Sequence, residues 1–238
     1  MRITEIYETF MGEQNISGIG APAIFVRVGG CHLRCYKTTK GMLCDTPASL
    51  DMKSGVEKSP EAIVAEVIKL SEESGIKLVC LTGGDPLTTD KKELEKFLAA
   101  LSVSNIITSV ETSGTLSIAP FRDIEHVFWV LDYKLPSAGI TAEFQYKDLK
   151  ILTENDVIKF VIDGEKDYSK FVEVLAEISP FTKAKLVAGS FWKGEFTDLK
   201  LFNKLKKDCL LGKVSFNMQV HKLVLAVNYS IVVDKIQL

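Results

Sequence analysis

The chain lacks any run of about 18 apolar residues, the length a membrane-crossing helix needs, so no membrane contact is expected. It also lacks a charge excess. Its 29 lysines and arginines stand against 31 aspartates and glutamates, for a net charge of −2. Nucleic-acid surfaces are built on basic patches, so no nucleic-acid partner is expected. The opening segment Met1-Arg2-Ile3-Thr4-Glu5 has no apolar stretch of the secretory-leader kind, which points to a reducing, cytoplasmic setting. Internal repeats, low-complexity tracts and linker-like shifts are missing as well, and the 238 residues read as one domain, 1–238. Cysteine is sparse, with five residues. In a reducing setting, clustered cysteines more often bind metal or react than form disulfides.

What is present suits a globular protein: 46% hydrophobic and 25% charged residues, enough for a sizeable core. Three of the five cysteines, Cys31, Cys35 and Cys44, fall within fourteen residues. Structural zinc takes four protein ligands, and ordinary electron-transfer iron–sulfur clusters take four cysteines. Three thiolates suit a [4Fe–4S] cluster whose fourth iron binds something else. A zinc site completed by His32 or Asp45, or a chance grouping, accounts for the same residues. Cys80 and Cys209 stand alone in apolar surroundings and read as small core residues.

Apolar runs alternate with helical patterns. Strands are expected over 24–28, 78–81, 106–110, 127–131, 157–162, 186–188, 214–220 and 231–233. A helix over 60–74 has Ser59 as cap, Pro60 in the first turn and Gly75 after its end. A second starts at Asp90, with Glu93 completing a capping box; others are expected over 168–178 and 198–207. This alternation argues for an α/β fold with a largely parallel sheet. Polar groups fall where strands end: Thr82-Gly83-Gly84-Asp85, Glu111-Thr112-Ser113-Gly114 and Asp132-Tyr133-Lys134. Ligands of parallel sheets bind at those ends. Taken singly, each group also reads as a tight turn or a solvated cap.

In this order, three cysteines after one strand and Gly83-Gly84-Asp85-Pro86 after the next, the chain resembles the radical S-adenosylmethionine (radical SAM) superfamily. Further segments narrow the resemblance to its 7-carboxy-7-deazaguanine synthase family. They are Thr9-Phe10-Met11-Gly12-Glu13, Phe25-Val26-Arg27, Cys44-Asp45-Thr46, Lys159-Phe160-Val161-Ile162 and Gln219-Val220-His221-Lys222. There are departures. Eight residues separate Cys35 from Cys44 where the superfamily usually has two. Asp85 replaces a glutamate, Met11 a glutamine and Gln14 a glycine, and the tail Asp234-Lys235-Ile236-Gln237-Leu238 lacks the family ending.

The resemblance implies a modified, incomplete (β/α) barrel. It implies a [4Fe–4S] cluster on Cys31, Cys35 and Cys44, and SAM held at its methionine end by Gly83, Gly84 and Asp85, with Glu111, Ser113, Asp132, Tyr133 and Lys134 lining its nucleoside or carboxylate. It implies Mg²⁺ at Thr46, and 6-carboxy-5,6,7,8-tetrahydropterin facing Phe10, Met11, Gly12, Glu13, Arg27, Thr82 and His221. The implied reaction removes a hydrogen atom from C6, contracts the ring and releases ammonia, with SAM regenerated. An electron donor such as flavodoxin or ferredoxin and a homodimer are implied too. The alternative is a radical SAM activating protein for a glycyl-radical enzyme, which needs a docking surface rather than a pterin pocket.

Overall fold

The computed structural model describes residues 1–38, 41–42, 44–191 and 194–222. Seven strands run parallel: β2 (Pro22–Val28), β6 (Leu78–Gly83), β7 (Ile107–Thr112), β8 (Val127–Tyr133), β9 (Val157–Ile162), β10 (Lys185–Ser190) and β11 (Ser215–Phe216). On the outer side of β2 lie β1 (Arg2–Phe10) and the short β5 (Val56–Glu57), each antiparallel to its neighbour. The order is β11-β10-β9-β8-β7-β6-β2-β1-β5, so the sheet is open, with β11 and β5 at its two edges. A separate small ladder joins β3 (Lys37–Thr38) to β4 (Gly41–Met42). Within the extra loop between Cys35 and Cys44, residues 37–38 thus pair antiparallel with 41–42.

Four helices cross between strands: α1 (Pro60–Ser74), α2 (Lys91–Val103), α3 (Glu165–Ile178) and α4 (Asp198–Lys207). The Ser59 side chain accepts from the Ala62 amide, and Gly75 ends α1 with φ 76°, a left-handed angle that glycine takes without strain. Such an N-cap is worth about 1 kcal/mol. The crossings from β7 to β8 and from β8 to β9 use only short 3₁₀ turns, Ala119–Phe121, Pro136–Ala138 and Tyr146–Ile151. The barrel is modified as well as incomplete. No helix among the described residues is long and apolar enough to cross a membrane.

All four helices bury their apolar stripes against one sheet face. Ile63 and Val67 of α1, Phe97 and Leu101 of α2, Phe171 of α3 and Leu201 of α4 join Val26, Leu81, Val110, Trp129, Leu131 and Phe160 in one core. Side chains of a strand alternate between faces. The opposite face therefore receives Arg27, Thr82, Glu111, Asp132 and Lys159. Among the described residues it carries two small apolar clusters, one around Met11, Ala23, Leu78 and Cys80, the other of Val130, Val157 and Val187.

Three expectations change. Residues 2–10, given no strand from sequence, form β1; its register slips between Ile3 and Glu5, which breaks the alternation that would have marked it. The strand expected over 214–220 shrinks to β11, and 220–222 is helical. Cys209 is exposed at the end of α4 with φ 58°, not in the core, whereas Cys80 is buried as expected. The strand expected over 231–233 and the tail 234–238 lie outside the described residues.

Candidate active site

The cysteine loop leaves β2 and is pinned at its base. The Gly30 amide donates to the Ser49 carbonyl (2.8 Å) and the Cys31 amide to Leu50 (3.2 Å). The glycine turn after β6 is laced to the same base: Gly84 donates to Val28 and Asp85 to Gly30, both at 2.9 Å. A Cβ on Gly84 would lie 2.0 Å from the Gly30 carbonyl oxygen, and one on Gly83 2.4 Å from that of Val28. Both glycines are therefore required by backbone contact, Gly83 with the end of β2 and Gly84 with the base of the loop that carries the cysteines.

The donor set fits an iron–sulfur cluster. All three thiols are free. Cys35 feels both Cys31 and Cys44, and Cys31 feels Cys44. The Leu33 amide points at the Cys31 sulfur (3.4 Å), and the Arg34 guanidinium is beside it on the Cys31 carbonyl (2.7 Å). Burial pushes the Cys35 thiol up to about 11 and moves Cys31 the same way, so iron must displace these protons. Among the described residues no three His, Cys, Asp or Glu side chains converge on a single-ion site. His32 bonds to the Thr115 hydroxyl at 2.8 Å instead.

The turn fixes Asp85 differently from expectation. Its carboxylate is 1% exposed. One oxygen accepts from the Leu87 amide (3.1 Å) and the Thr112 hydroxyl (2.8 Å), the other from the Ser113 amide (3.1 Å) and hydroxyl (2.6 Å). The expected pairing of this carboxylate with the SAM ammonium meets a group whose lone pairs are already engaged. The shorter arm draws it into the protein, where it ties the ends of β6 and β7 together. Ser113, Thr115, Tyr133, Lys134, Phe144 and Tyr146 line a hollow of about 350 Å³ beyond the strand ends. Tyr133 faces it only from the core side, packed on Phe144 and Phe160 and bonded to Tyr146. Asp132 accepts from Lys134 (2.9 Å) through one oxygen, and its other oxygen is buried with no partner among the described residues. An orphaned acceptor suits a ligand hydroxyl.

The expected substrate residues gather on the polar face. Thr82 donates to Glu111 at 3.0 Å. Arg27 donates to the Tyr7 hydroxyl (2.8 Å) and pairs with Glu5 (3.1 Å). Glu13 is 9% exposed and pairs with Lys159 at 2.6 Å; its other oxygen accepts from Gln219 at 2.6 Å. Burial alone would push the Glu13 carboxyl up, but the Lys159 ammonium and the Gln219 bond bring it down to about 2. Glu111 goes the other way: burial and Glu13 raise it against the pull of Lys159. Glu111, expected to line the nucleoside or carboxylate of SAM, stands among Thr82, Glu13 and Arg27. His221 presses on Gly12 so closely that a Cβ there would lie 2.1 Å from Nδ1, and the Val220 amide donates to the Gly12 carbonyl (3.0 Å). Phe10 ends β1 half-buried. Met11, expected to approach the pterin, is 1% exposed in the small cluster with Ala23 and Cys80. Thr46 donates to the Gly83 carbonyl at 2.8 Å. That disposes of its proton; the oxygen also lies 3.6 Å from the Cys44 sulfur and keeps a lone pair for a hard cation. Lys159 and Gln219 were not singled out from sequence as site residues, although each opens a segment that carries the family resemblance; a lysine inside an otherwise apolar strand was a further signal.

The sequence model of the Radical SAM superfamily matches residues 26–178. A 7-carboxy-7-deazaguanine synthase of Koribacter versatilis is 38% identical over 168 residues, covering 71% of this chain and 67% of that one. One of Clostridium acetobutylicum is 28% identical over 94% of this chain and 95% of its own. A crystal structure of QueE from Escherichia coli superposes with a TM-score of 0.69 at 20% identity, covering 92% of this chain and 94% of that one. With its three free thiols on one loop and its glycine turn laced to them, the chain belongs to the 7-carboxy-7-deazaguanine synthase family of the radical SAM superfamily.

Proposed function

We propose that this chain converts 6-carboxy-5,6,7,8-tetrahydropterin to 7-carboxy-7-deazaguanine with loss of ammonia, as a single domain acting with Mg²⁺. The supporting observation is the meeting of Glu13, Arg27, Thr82 and His221 on one sheet face beside the cysteine loop. The names of its relatives support the same reading. When bound, the cluster and SAM supply the radical that takes a hydrogen atom from substrate C6. Cys31, Cys35 and Cys44 would hold the cluster. Gly83 and Gly84, with the hollow lined by Ser113, Tyr133 and Lys134, would hold SAM, and Asp132 would accept from one of its hydroxyls.

The residues do the placing. Tyr7 and Glu5 fix the Arg27 guanidinium, and among the described residues its Nη1 has no acceptor; that edge would take the substrate carboxylate. Thr46 would hold Mg²⁺ against the same carboxylate. Glu13 would accept from the guanidine-like edge of the pterin, with His221 and Thr82 flanking it. An external electron donor such as flavodoxin or ferredoxin and a homodimeric state belong to the same proposal. The test is anaerobic reconstitution followed by incubation with SAM, Mg²⁺, reductant and the carboxypterin. The deazaguanine product and ammonia are expected. A reconstituted chain that cleaves SAM but neither binds nor consumes the carboxypterin would favour the activating-protein reading.

A further inference from the structure

Lys159 is the one charged residue of β9, in the sequence Val-Ile-Lys-Phe-Val-Ile. A lysine 7% exposed in the middle of a parallel sheet is costly unless its charge is met. Here its ammonium lies 2.6 Å from Glu13 Oε2 and 3.7 Å from Asp132 Oδ2. Gln219 holds the other Glu13 oxygen from the opposite end of the chain. The carboxylate is thus clamped on both oxygens before any ligand arrives.

We propose that Lys159 is a positioning residue for substrate recognition: it keeps the Glu13 carboxylate charged and in one orientation, so that its free lone pairs meet the paired N–H groups of a guanidine-like ring edge. This rests on the pterin reading above. A protonated carboxyl would present a donor to one of those N–H groups and lose the match. Burial by itself favours that protonated form, and the Lys159 ammonium prevents it. The other groups around Glu13 do not replace it. Gln219 is neutral, and His221, itself near Lys222 and Asp45, is held below its usual range by burial. Glu111 and Asp132 face Lys159 from β7 and β8 as further negative charge. Arg27 lies toward Glu111 and Tyr7.

The experiment compares wild type, Lys159→Arg and Lys159→Met after anaerobic reconstitution, in the presence of SAM and Mg²⁺. Carboxypterin and SAM affinities are measured from about pH 8 to pH 5, and the Glu13 carboxyl is followed by ¹³C NMR, assigned with Glu13→Gln. Loss of a charge-assisted bond predicts that Lys159→Met weakens carboxypterin roughly 10- to 150-fold at neutral pH. The loss should deepen as pH falls, SAM affinity should hold, and Lys159→Arg should recover most of the binding. Wild-type carboxypterin affinity in Lys159→Met, or an equal loss of SAM affinity, overturns the role. So does a Glu13 signal that titrates alike in wild type and Lys159→Met. If Lys159→Met does not fold, the neutral pair Lys159→Met with Glu13→Gln takes its place. It should bind the carboxypterin as weakly as Glu13→Gln alone, and wild-type binding by the pair overturns the role. A wild type that binds SAM but no carboxypterin sinks the substrate reading instead, while the Glu13 titration still decides whether Lys159 governs that carboxylate.

Discussion

The two faces of the sheet are made by the same strands and behave as two different solvents. Along β8, Trp129 and Leu131 enter the helix-covered core while Asp132 turns to the other side. Along β9, Phe160 sits in the core and Lys159 opposite. The covered face excludes charge and is held by burial and packing. The opposite face collects Arg27, Glu111, Asp132, Lys159 and, from above, Glu13, a set that pays desolvation for a prepared ligand surface. A residue two positions along a strand is thus under the same constraint, and a residue one position along is under the opposite one.

Substitutions should separate the faces. The largest effect is expected in the loop that borders the polar face. Cys31→Ala, Cys35→Ala and Cys44→Ala should each lose the bound cluster, read as iron per chain after anaerobic reconstitution. Full iron in Cys44→Ala would mean that the hairpin of β3 and β4 does not return that thiol to the site.

Next comes the covered face. Phe160→Ala should cost about 3–5 kcal/mol in denaturant unfolding. The ratio of carboxypterin to SAM affinity should stay constant, and a change in that ratio would deny that the faces are separable.

Asp85→Ala should fall between the two kinds. It strips acceptors from Thr112, Ser113 and Leu87, which predicts a loss of about 1–3 kcal/mol in stability together with weaker SAM binding. Weaker SAM binding at unchanged stability would restore a direct contact between Asp85 and SAM.

The smallest effect is expected from Glu111→Gln. The folded-state pKa of Glu111 lies above its unfolded 4.5, so the folded protein holds the extra proton and this group loses stability as pH rises past 4.5. Glu13 has the reverse sign: its folded value of about 2 adds stability above 4.5 that is lost as pH falls toward 2. Glu111→Gln should therefore be as stable as wild type or slightly more so near neutral pH, with poorer turnover. Denaturation midpoints across pH check both signs, and a Glu111→Gln variant clearly less stable at neutral pH would refute the cost assigned to its burial.

Most of the fold was legible because the apolar periodicity was. The α1 cap at Ser59 and the Asp90 cap of α2 follow directly from local patterns, as do strands β6, β7 and β8, although each runs two residues past its expected end, to Gly83, Thr112 and Tyr133. Strand β1 was hidden because a slip of register at Thr4 scrambles its alternation. The residue types of the site were readable, but their directions were not. Asp85 turns inward because donors from β7, 27 and 28 residues away, satisfy it. Met11 is drawn down onto Ala23, Leu78 and Cys80 on the polar face itself. Lys159 was read only as part of a family segment, because its partner Glu13 is 146 residues away, beyond any local pattern.

That separation sets an order of assembly. The cysteine loop and the glycine turn are tied by contacts no more than 58 residues apart, as between Thr88 and Gly30. The Glu13 clamp instead closes spans of 146 and 206 residues, to Lys159 and Gln219, and long closures form late. During synthesis the ribosome releases the whole iron-binding loop and its glycine turn well before it releases Gln219. The growing chain can gather its thiols long before it can recognise a ring.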